Sequence, residues 1–251
     1  MTGALQPGAV GFDRAGDVYE RARPSYPEHA VACLLGQLDV RPQTTLVDLG
    51  AGTGKLTRLL AASGADIVAV EPLAGIWQQL VATIPSAAAV AGVAEAIPLR
   101  DASVHAVTAG QAFHWFRAPD ALAEIHRVLE PDGRLGLVWN RRDDAVPWVK
   151  RFADILVPYE GATPREWRRA WSPSFSSSDL FTPLEEAAFE MGQELDADGL
   201  VDRAASVSFV AALSAEERRP VLDEIRGLAA TLPERFTLPY RTTVYWCSKR
   251  S

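Results

Sequence analysis

The residues with chemistry to offer begin at Val47-Asp48-Leu49-Gly50-Ala51-Gly52-Thr53-Gly54, an acid followed by glycines at alternate positions. Glycine tolerates positive φ and lets a backbone come close to a ligand. A dinucleotide fingerprint would place its third glycine at position 55, which is Lys55, and no Gly-Lys-Ser/Thr phosphate loop follows. Asp48 would repel a pyrophosphate and suits a cationic ligand. Further on, Glu71 closes the next apolar run. A carboxylate there can accept both hydroxyls of a ribose, and such charge-assisted bonds are worth roughly 1.5–3 kcal/mol. His114 lies just past a later apolar run and is the candidate general base, with an ordinary pKa of about 6.5. The other reading packs it within Phe113, Trp115 and Phe116 with a ring nitrogen on a backbone carbonyl, and that reading is favoured. His29, His105 and His126 sit in ordinary contexts and are assigned no role.

These residues need strands and helices to position them, and the hydrophobic pattern supplies both. Residues 27–38 place Ala30, Val31, Leu34, Leu35 and Leu38 on one helical face. Strands are expected at 44–49, 66–71, 87–92, 104–109 and 135–139, with helices at 55–62, 73–84 and from Pro119 onward. Pro131-Asp132-Gly133 is expected to close the last of these. Strands separated by helices imply right-handed crossovers and a parallel sheet. The expected fold is therefore α/β: a doubly wound, Rossmann-like sheet, mostly parallel with an antiparallel last strand and an inserted helical cap. In such sheets ligands sit at the carboxyl ends of the strands, which is where Asp48, Glu71 and His114 fall.

After Asn140 the pattern becomes mainly helical, interrupted by prolines. Ser214 to Glu217 reads as a capping box, and Val221, Ile225, Leu228 and Leu232 form an apolar stripe. Pro220 marks either the start of that helix or a kink in it. Late strands are expected at 184–191 and 240–247. The expected organisation is a core with an N-terminal lid over 1–140, a cap over 141–235 that includes one late core strand, and a final strand within 236–251.

The chain has 251 residues, 48% hydrophobic and 23% charged, with 25 Lys+Arg against 32 Asp+Glu. This is globular composition, and a net charge of −7 argues against a duplex nucleic-acid partner. Cys33 and Cys247 are far apart in sequence, and two free thiols in a reducing compartment are expected in preference to one long-range disulfide. Neither a signal peptide nor a membrane span is read from the pattern, so a cytoplasmic protein without membrane or metal is expected.

The chain resembles the class I S-adenosylmethionine-dependent methyltransferases. The resemblance rests on residues 48–54, on Val70-Glu71-Pro72, on residues 92–99 and on Gln111-Ala-Phe-His-Trp-Phe116. The opening Tyr19-Glu-Arg-Ala-Arg-Pro-Ser-Tyr-Pro27 resembles a subgroup that includes trans-aconitate-type enzymes. The resemblance implies S-adenosyl-L-methionine as cofactor. Asp48, Gly50, Ala51, Gly52 and Gly54 would hold its methionine moiety, Glu71 its ribose with Pro72 beside it, and Val93 and Ala94 its adenine. Gln111 follows the fourth strand among the implied cofactor residues. Many relatives carry Asp where this chain has Val93, so the bond to the adenine amino group must be lost or replaced. Arg23 is expected on the cofactor carboxylate. Tyr19, Phe113, Trp115 and Trp139 could face the sulfonium or an apolar substrate, a cation over such a ring gaining roughly 0.5–2 kcal/mol. Trp139 falls in a strand and suits the core better.

The implied activity is methyl transfer to a small-molecule acceptor, at oxygen of a carboxylate or a hydroxyl. Only the hydroxyl needs a base. The alternative keeps the cofactor and uses its charge for a cyclisation or rearrangement. A non-catalytic binding module would require a degenerate pocket. The cap is mildly basic over 141–169, and Arg141 or Arg142, next to the fifth strand, is the candidate to reach an anionic substrate. Trp148, Trp167 and Trp171 suggest instead an aromatic one.

Overall fold

The computed structural model describes residues 20–84 and 87–251, apart from the side chains of residues 77, 79, 82 and 83. Tyr19 lies outside the described residues. In chain order the elements are α1 (Glu28–Gln37), β1 (Thr45–Leu49), α2 (Lys55–Ala61), β2 (Asp66–Val70), α3 (Ala74–Thr83), β3 (Ala88–Val90), β4 (Val104–Gly110), α4 (Ala118–Val128) and β5 (Leu129–Arg142). They continue with α5 (Pro147–Leu156), α6 (Pro173–Ser176), β6 (Glu185–Leu195), α7 (Ala197–Ala205), α8 (Ser208–Ala211), α9 (Ala215–Ala229) and β7 (Phe236–Ser248). The sheet has seven strands in the order β3-β2-β1-β4-β5-β7-β6 and is mostly parallel with antiparallel last strands, as the pattern implied.

The chain forms two compact units. One, the sheet unit, comprises 25–140, 164–189 and 242–251; the other, the helical unit, takes in 141–163 and 190–241, together with the segment before Ser25.

In the sheet unit, β1 pairs in parallel with β2 on one side and β4 on the other, so the chain order reverses at β1. β3 extends the sheet beyond β2, and β5 follows β4, both in parallel. The carboxyl ends of β1 to β4 therefore share one edge. Helix α4 starts with Pro119 in its first turn and buries Ala118, Ala121, Leu122, Ile125 and Val128, an apolar stripe of helical period. Pro131-Asp132-Gly133 does not end that helix at a loop: it lies inside β5, which begins at Leu129. Val104 pairs with Leu129 and Ala106 with Arg134, so residues 130–133 bulge from β5 opposite His105 alone. The bulge absorbs the turn, with Asp132 at φ 65°.

In the helical unit, α5, α7 and α9 surround a core that includes Val149, Phe152, Leu200, Val210, Val221, Ile225 and Leu238. The Ser214–Glu217 capping box is present, and α9 starts at Ala215, so Pro220 lies inside the helix and does not begin it. No described helix is long and apolar enough to cross a membrane.

Candidate functional site

Asp48 is the next-to-last residue of β1, on a strand buried on both faces, and its side chain is 1% exposed. Thr57 Oγ1, on α2, donates to its Oδ2 at 2.6 Å, and Thr108 Oγ1, on the neighbouring β4, reaches Oδ1 at 3.3 Å. Burial nevertheless pushes the carboxyl up to about 6, because neutral hydroxyls offset only part of the cost of enclosing a charge. A cation brought to this carboxylate would be held strongly for the same reason.

The glycine loop follows immediately. Gly50 and Ala51 both donate their N–H to Val70 O, tying the loop to the end of β2. Gly54, at φ 83°, packs so closely that a Cβ there would run into the side chains of Ile84 and Leu80. Gly52 differs: it also has positive φ, at 58°, yet a Cβ there would meet nothing within 4 Å. Its missing side chain leaves open space beside the loop, which is what a ligand approaching the backbone requires.

Glu71 directly follows β2 and is 5% exposed. Its Oε2 accepts from Gly52 N at 2.9 Å and its Oε1 from Leu73 N at 2.9 Å. Glu71 is thus no solvated strand end. It links the open glycine to the first turn after β2. An ionised carboxylate offers about four acceptor sites, so these bonds are compatible with ribose hydroxyls on the same group. Pro72 is half-buried beside it, and after β3 a short bridge between Val93 and Ala96 turns the chain, with Ala94 buried. Asp48, Gly50, Ala51, Gly52, Gly54, Glu71, Pro72, Val93 and Ala94 thus all stand at or just beyond the carboxyl ends of β1, β2 and β3.

Gln111 follows β4 at φ 56°, a conformation that costs a non-glycine residue energy and clusters at functional sites. Its N–H donates to Val138 O and its side-chain Nε2 to Asn140 O at 3.1 Å, so its amide braces β5. Phe113 to Trp115 then form one turn of 3-10 helix. Phe113 is fully buried among Phe116, Trp171 and Phe175, so its ring belongs to the core. Trp139 is buried too and stacks on Trp171 at 4.9 Å between centroids. Trp115 is half-buried, its ring 5.3 Å from that of His114.

His114 does not bond a backbone carbonyl through Nδ1. That atom accepts from Trp139 Nε1 at 3.2 Å. An indole N–H can only donate, so with this bond in place the neutral imidazole carries its proton on Nε2.

Three of the expected residues lie in the helical unit. Arg23 donates to Ser206 Oγ at 3.2 Å and to Ser206 O at 3.0 Å. Arg142 lies over the Phe152 ring at 4.7 Å, and Arg141 is exposed and pairs with Asp144. Sequence reasoning missed Thr57 and Thr108, the partners of Asp48. Nothing in a threonine on a helix or a strand announces that it faces a buried acid. It also missed that Trp171 would stack against Trp139, with its own Nε1 enclosed and without a hydrogen-bond partner.

An acid under an open glycine, a second acid at the next strand end and a parallel sheet that reverses at β1 are features that fit a nucleoside cofactor on a Rossmann-like sheet. The methyltransferase domain family matches residues 47–137, the span that carries these features. The chain is 39% identical over 247 residues to an uncharacterised methyltransferase of Mycobacterium tuberculosis (strain ATCC 25618 / H37Rv), covering 96% of this chain and 97% of that protein. It belongs to the class I S-adenosylmethionine-dependent methyltransferases, and S-adenosyl-L-methionine is its cofactor. Over 100 residues it is also 40% identical to a malonyl-[acyl-carrier protein] O-methyltransferase of Methylococcus capsulatus, covering 38% of this chain and 36% of that one. A structure from Anaeromyxobacter dehalogenans assigned to the type II methyltransferases superposes with a TM-score of 0.63 at 27% identity, covering 90% of this chain and 96% of that chain.

Proposed function

We propose that the chain methylates an oxygen of a small-molecule acceptor, and that this oxygen belongs to a carboxylate. The observation that carries the reading is the Trp139–His114 hydrogen bond. His114 is the titratable side chain in the aromatic block after β4, and Trp139 occupies its unprotonated nitrogen. A hydroxyl acceptor must lose a proton during transfer and needs a base to take it. A carboxylate is already ionised and needs none. The likeness of residues 19–27 to the opening of trans-aconitate-type enzymes favours the same acceptor class, and the relative from Methylococcus capsulatus is named for O-methylation.

Bound to this chain, S-adenosylmethionine supplies an electrophilic methyl group on a sulfonium. Asp48 receives the ammonium of the methionine moiety, and the Gly50–Gly54 backbone lets that moiety approach. Glu71 accepts from the ribose while keeping Gly52 in place, with Pro72 alongside. Val93 and Ala94 cover the adenine by apolar contact, since Val93 has no acceptor for its amino group. Catalysis then rests on alignment of acceptor, methyl carbon and sulfur, and positioning of this kind can contribute roughly 7–11 kcal/mol in the best cases.

The test is turnover of His114→Ala on an acceptor found by screening carboxylic acids and phenols for release of S-adenosylhomocysteine. Expected are a carboxylic acid among the acceptors and a rate profile from pH 6 to 9 that keeps its shape in the variant. A fall of about 100-fold or more that removes an acid limb from the profile would restore His114 as a base and a hydroxyl as acceptor. Cofactor consumed without release of S-adenosylhomocysteine would point to a reaction other than methylation.

A further inference from the structure

In the sheet unit, the segment after β3 is tied to helix α4 at two places. Near its start, Glu95 Oε1 accepts at 2.7 Å from the N–H of Arg117, the residue before α4. In the last turns of the same helix, Glu124 Oε2 accepts from Ile97 N at 2.8 Å. Arg127 Nη2 donates to Ile97 O at 2.9 Å, and its Nη1 donates to Leu99 O at 2.8 Å. Both backbone groups of Ile97 are therefore held by side chains of one helix. Glu124 and Arg127 also hold each other. Arg127 Nε donates to Glu124 Oε1 at 2.8 Å and Nη2 to Oε2 at 2.7 Å, the paired arrangement that a guanidinium fork permits. The Arg127 guanidinium keeps the Glu124 carboxyl below its ordinary value, and Asp101 Oδ1 accepts from Nη1 at 2.7 Å.

An ion pair on an open helix face contributes little by itself. This one differs because it directs hydrogen bonds at the backbone of another segment. Pro98, between the two held residues, packs on Gly92: a Cβ at Gly92 would lie 2.8 Å from Pro98 Cδ and 3.1 Å from Val70 Cγ1. Ala96 N donates to Val93 O at 3.2 Å, which closes the turn containing Ala94. Ala94 and Ile97 are both buried in the core of the sheet unit. The Val93–Ala94 turn is thus fixed from α4 through Ile97 and Leu99, then through Pro98 onto Gly92, just past β3.

We infer that Arg127 and Glu124 are positioning residues for the nucleobase of the cofactor, making the preference for adenine depend on α4. The inference rests on the proposed placement of adenine against Val93 and Ala94. Val93 has no acceptor for the adenine amino group, so this cover must discriminate through the fixed placement of its apolar surface and backbone. A cover free to move adapts to a different base, whereas one locked by a supporting shell does not. Arg127 and Glu124 act through the 95–99 segment and not by touching the base.

The experiment is calorimetric titration of S-adenosylhomocysteine and S-inosylhomocysteine into the full-length protein and its Arg127→Gln and Glu124→Gln variants, with thermal unfolding alongside. The two ligands share ribose and homocysteine. Hypoxanthine replaces the amino donor of adenine by a carbonyl acceptor and the ring acceptor at N1 by a donor. The wild type is expected to prefer S-adenosylhomocysteine by about tenfold or more. In Arg127→Gln that preference should shrink by about fivefold or more, because the adenine ligand loses more than the hypoxanthine one. Glu124→Gln keeps an acceptor for Ile97 N and should shift the preference the same way by less. A merely structural role would lower the unfolding midpoint and weaken both ligands by one factor, and an unchanged preference in the variants overturns the inference. So does a wild type indifferent to the base. Should Arg127→Gln fail to fold, the preference of Glu124→Gln decides alone. Glu71→Ala should weaken both ligands equally, since the ribose is common to them. If it changed neither, the cofactor placement itself would be wrong; if it weakened both while Arg127→Gln kept the wild-type preference, only the role of α4 would fall.

Discussion

Burial holds the Asp48 carboxyl at about 6, above its ordinary 3.8, although Thr57 and Thr108 both donate to it. Between those values the folded chain binds more protons at this group than the unfolded chain does. Its contribution to stability is therefore fully present below the lower value and lost as pH rises through the upper one. Asp48→Asn should flatten this dependence in thermal unfolding between pH 4 and 6, and should not lower the midpoint at pH 8. The same variant should weaken S-adenosylmethionine by about tenfold or more at neutral pH, since in the proposed site the ammonium loses its counter-charge. For the wild type, cofactor binding should release a proton below pH 6, read by calorimetry in two buffers of different ionisation heat. Glu71 tethers Gly52 and Leu73, and in the proposed cofactor site it would also accept from the ribose. Glu71→Ala should weaken the cofactor by about tenfold or more, and Glu71→Gln less, because it keeps one carbonyl acceptor. If affinity were unchanged in both Asp48→Ala and Glu71→Ala, the site would lie elsewhere.

At the scale of elements, the loop between β1 and α2 is shaped by what lies beneath it. Gly54 has positive φ and its α-carbon rests on Leu80 and Ile84 of the α3 region, so Gly54→Ala combines backbone strain with overpacking. A loss of about 2 kcal/mol or more in denaturant titration is expected, with a matching loss of cofactor affinity. Gly52→Ala meets the same φ penalty but no neighbour. It should therefore cost less stability than Gly54→Ala while impairing the cofactor at least as much, an ordering readable from unfolding and binding curves side by side. In the helical unit, Ser214→Ala removes the capping box of α9 and should lower stability by about 1 kcal/mol without touching cofactor affinity.

Over the whole molecule, each unit has its own apolar core, and that of the sheet unit encloses Cys247. Burial pushes the Cys247 thiol up to about 12, and Cys33, half-buried, is raised to a lesser extent by the same cause. Both are free, as the sequence led one to expect. An aromatic disulfide reagent at pH 8 should label Cys33 slowly and Cys247 only on unfolding, and reductant should leave the unfolding midpoint unchanged. Two thiols reacting together in the native protein would contradict the packing of β7. The described ion pairs are mostly exposed, and pairs of that kind are worth about 0–1 kcal/mol, so added salt should shift stability little.

Order along the chain was enough to determine the sheet, because its buried strands are short apolar runs and its helices carry stripes of period 3.6. The glycine loop and Glu71 were equally legible, since their spacing is local and each follows a strand. The capping box of α9 was visible for the same reason. What the linear pattern could not contain is contact between residues distant in sequence. The Pro131-Asp132-Gly133 bulge depends on how β5 registers against β4, and turn chemistry alone reads it as a helix stop. The hydroxyls of Thr57 and Thr108 on Asp48 and the indole of Trp139 on His114 arise only when separate elements are packed together. Packing removes water from those groups, and the loss of water turns an ordinary threonine or tryptophan into one that sets the chemistry of its neighbour.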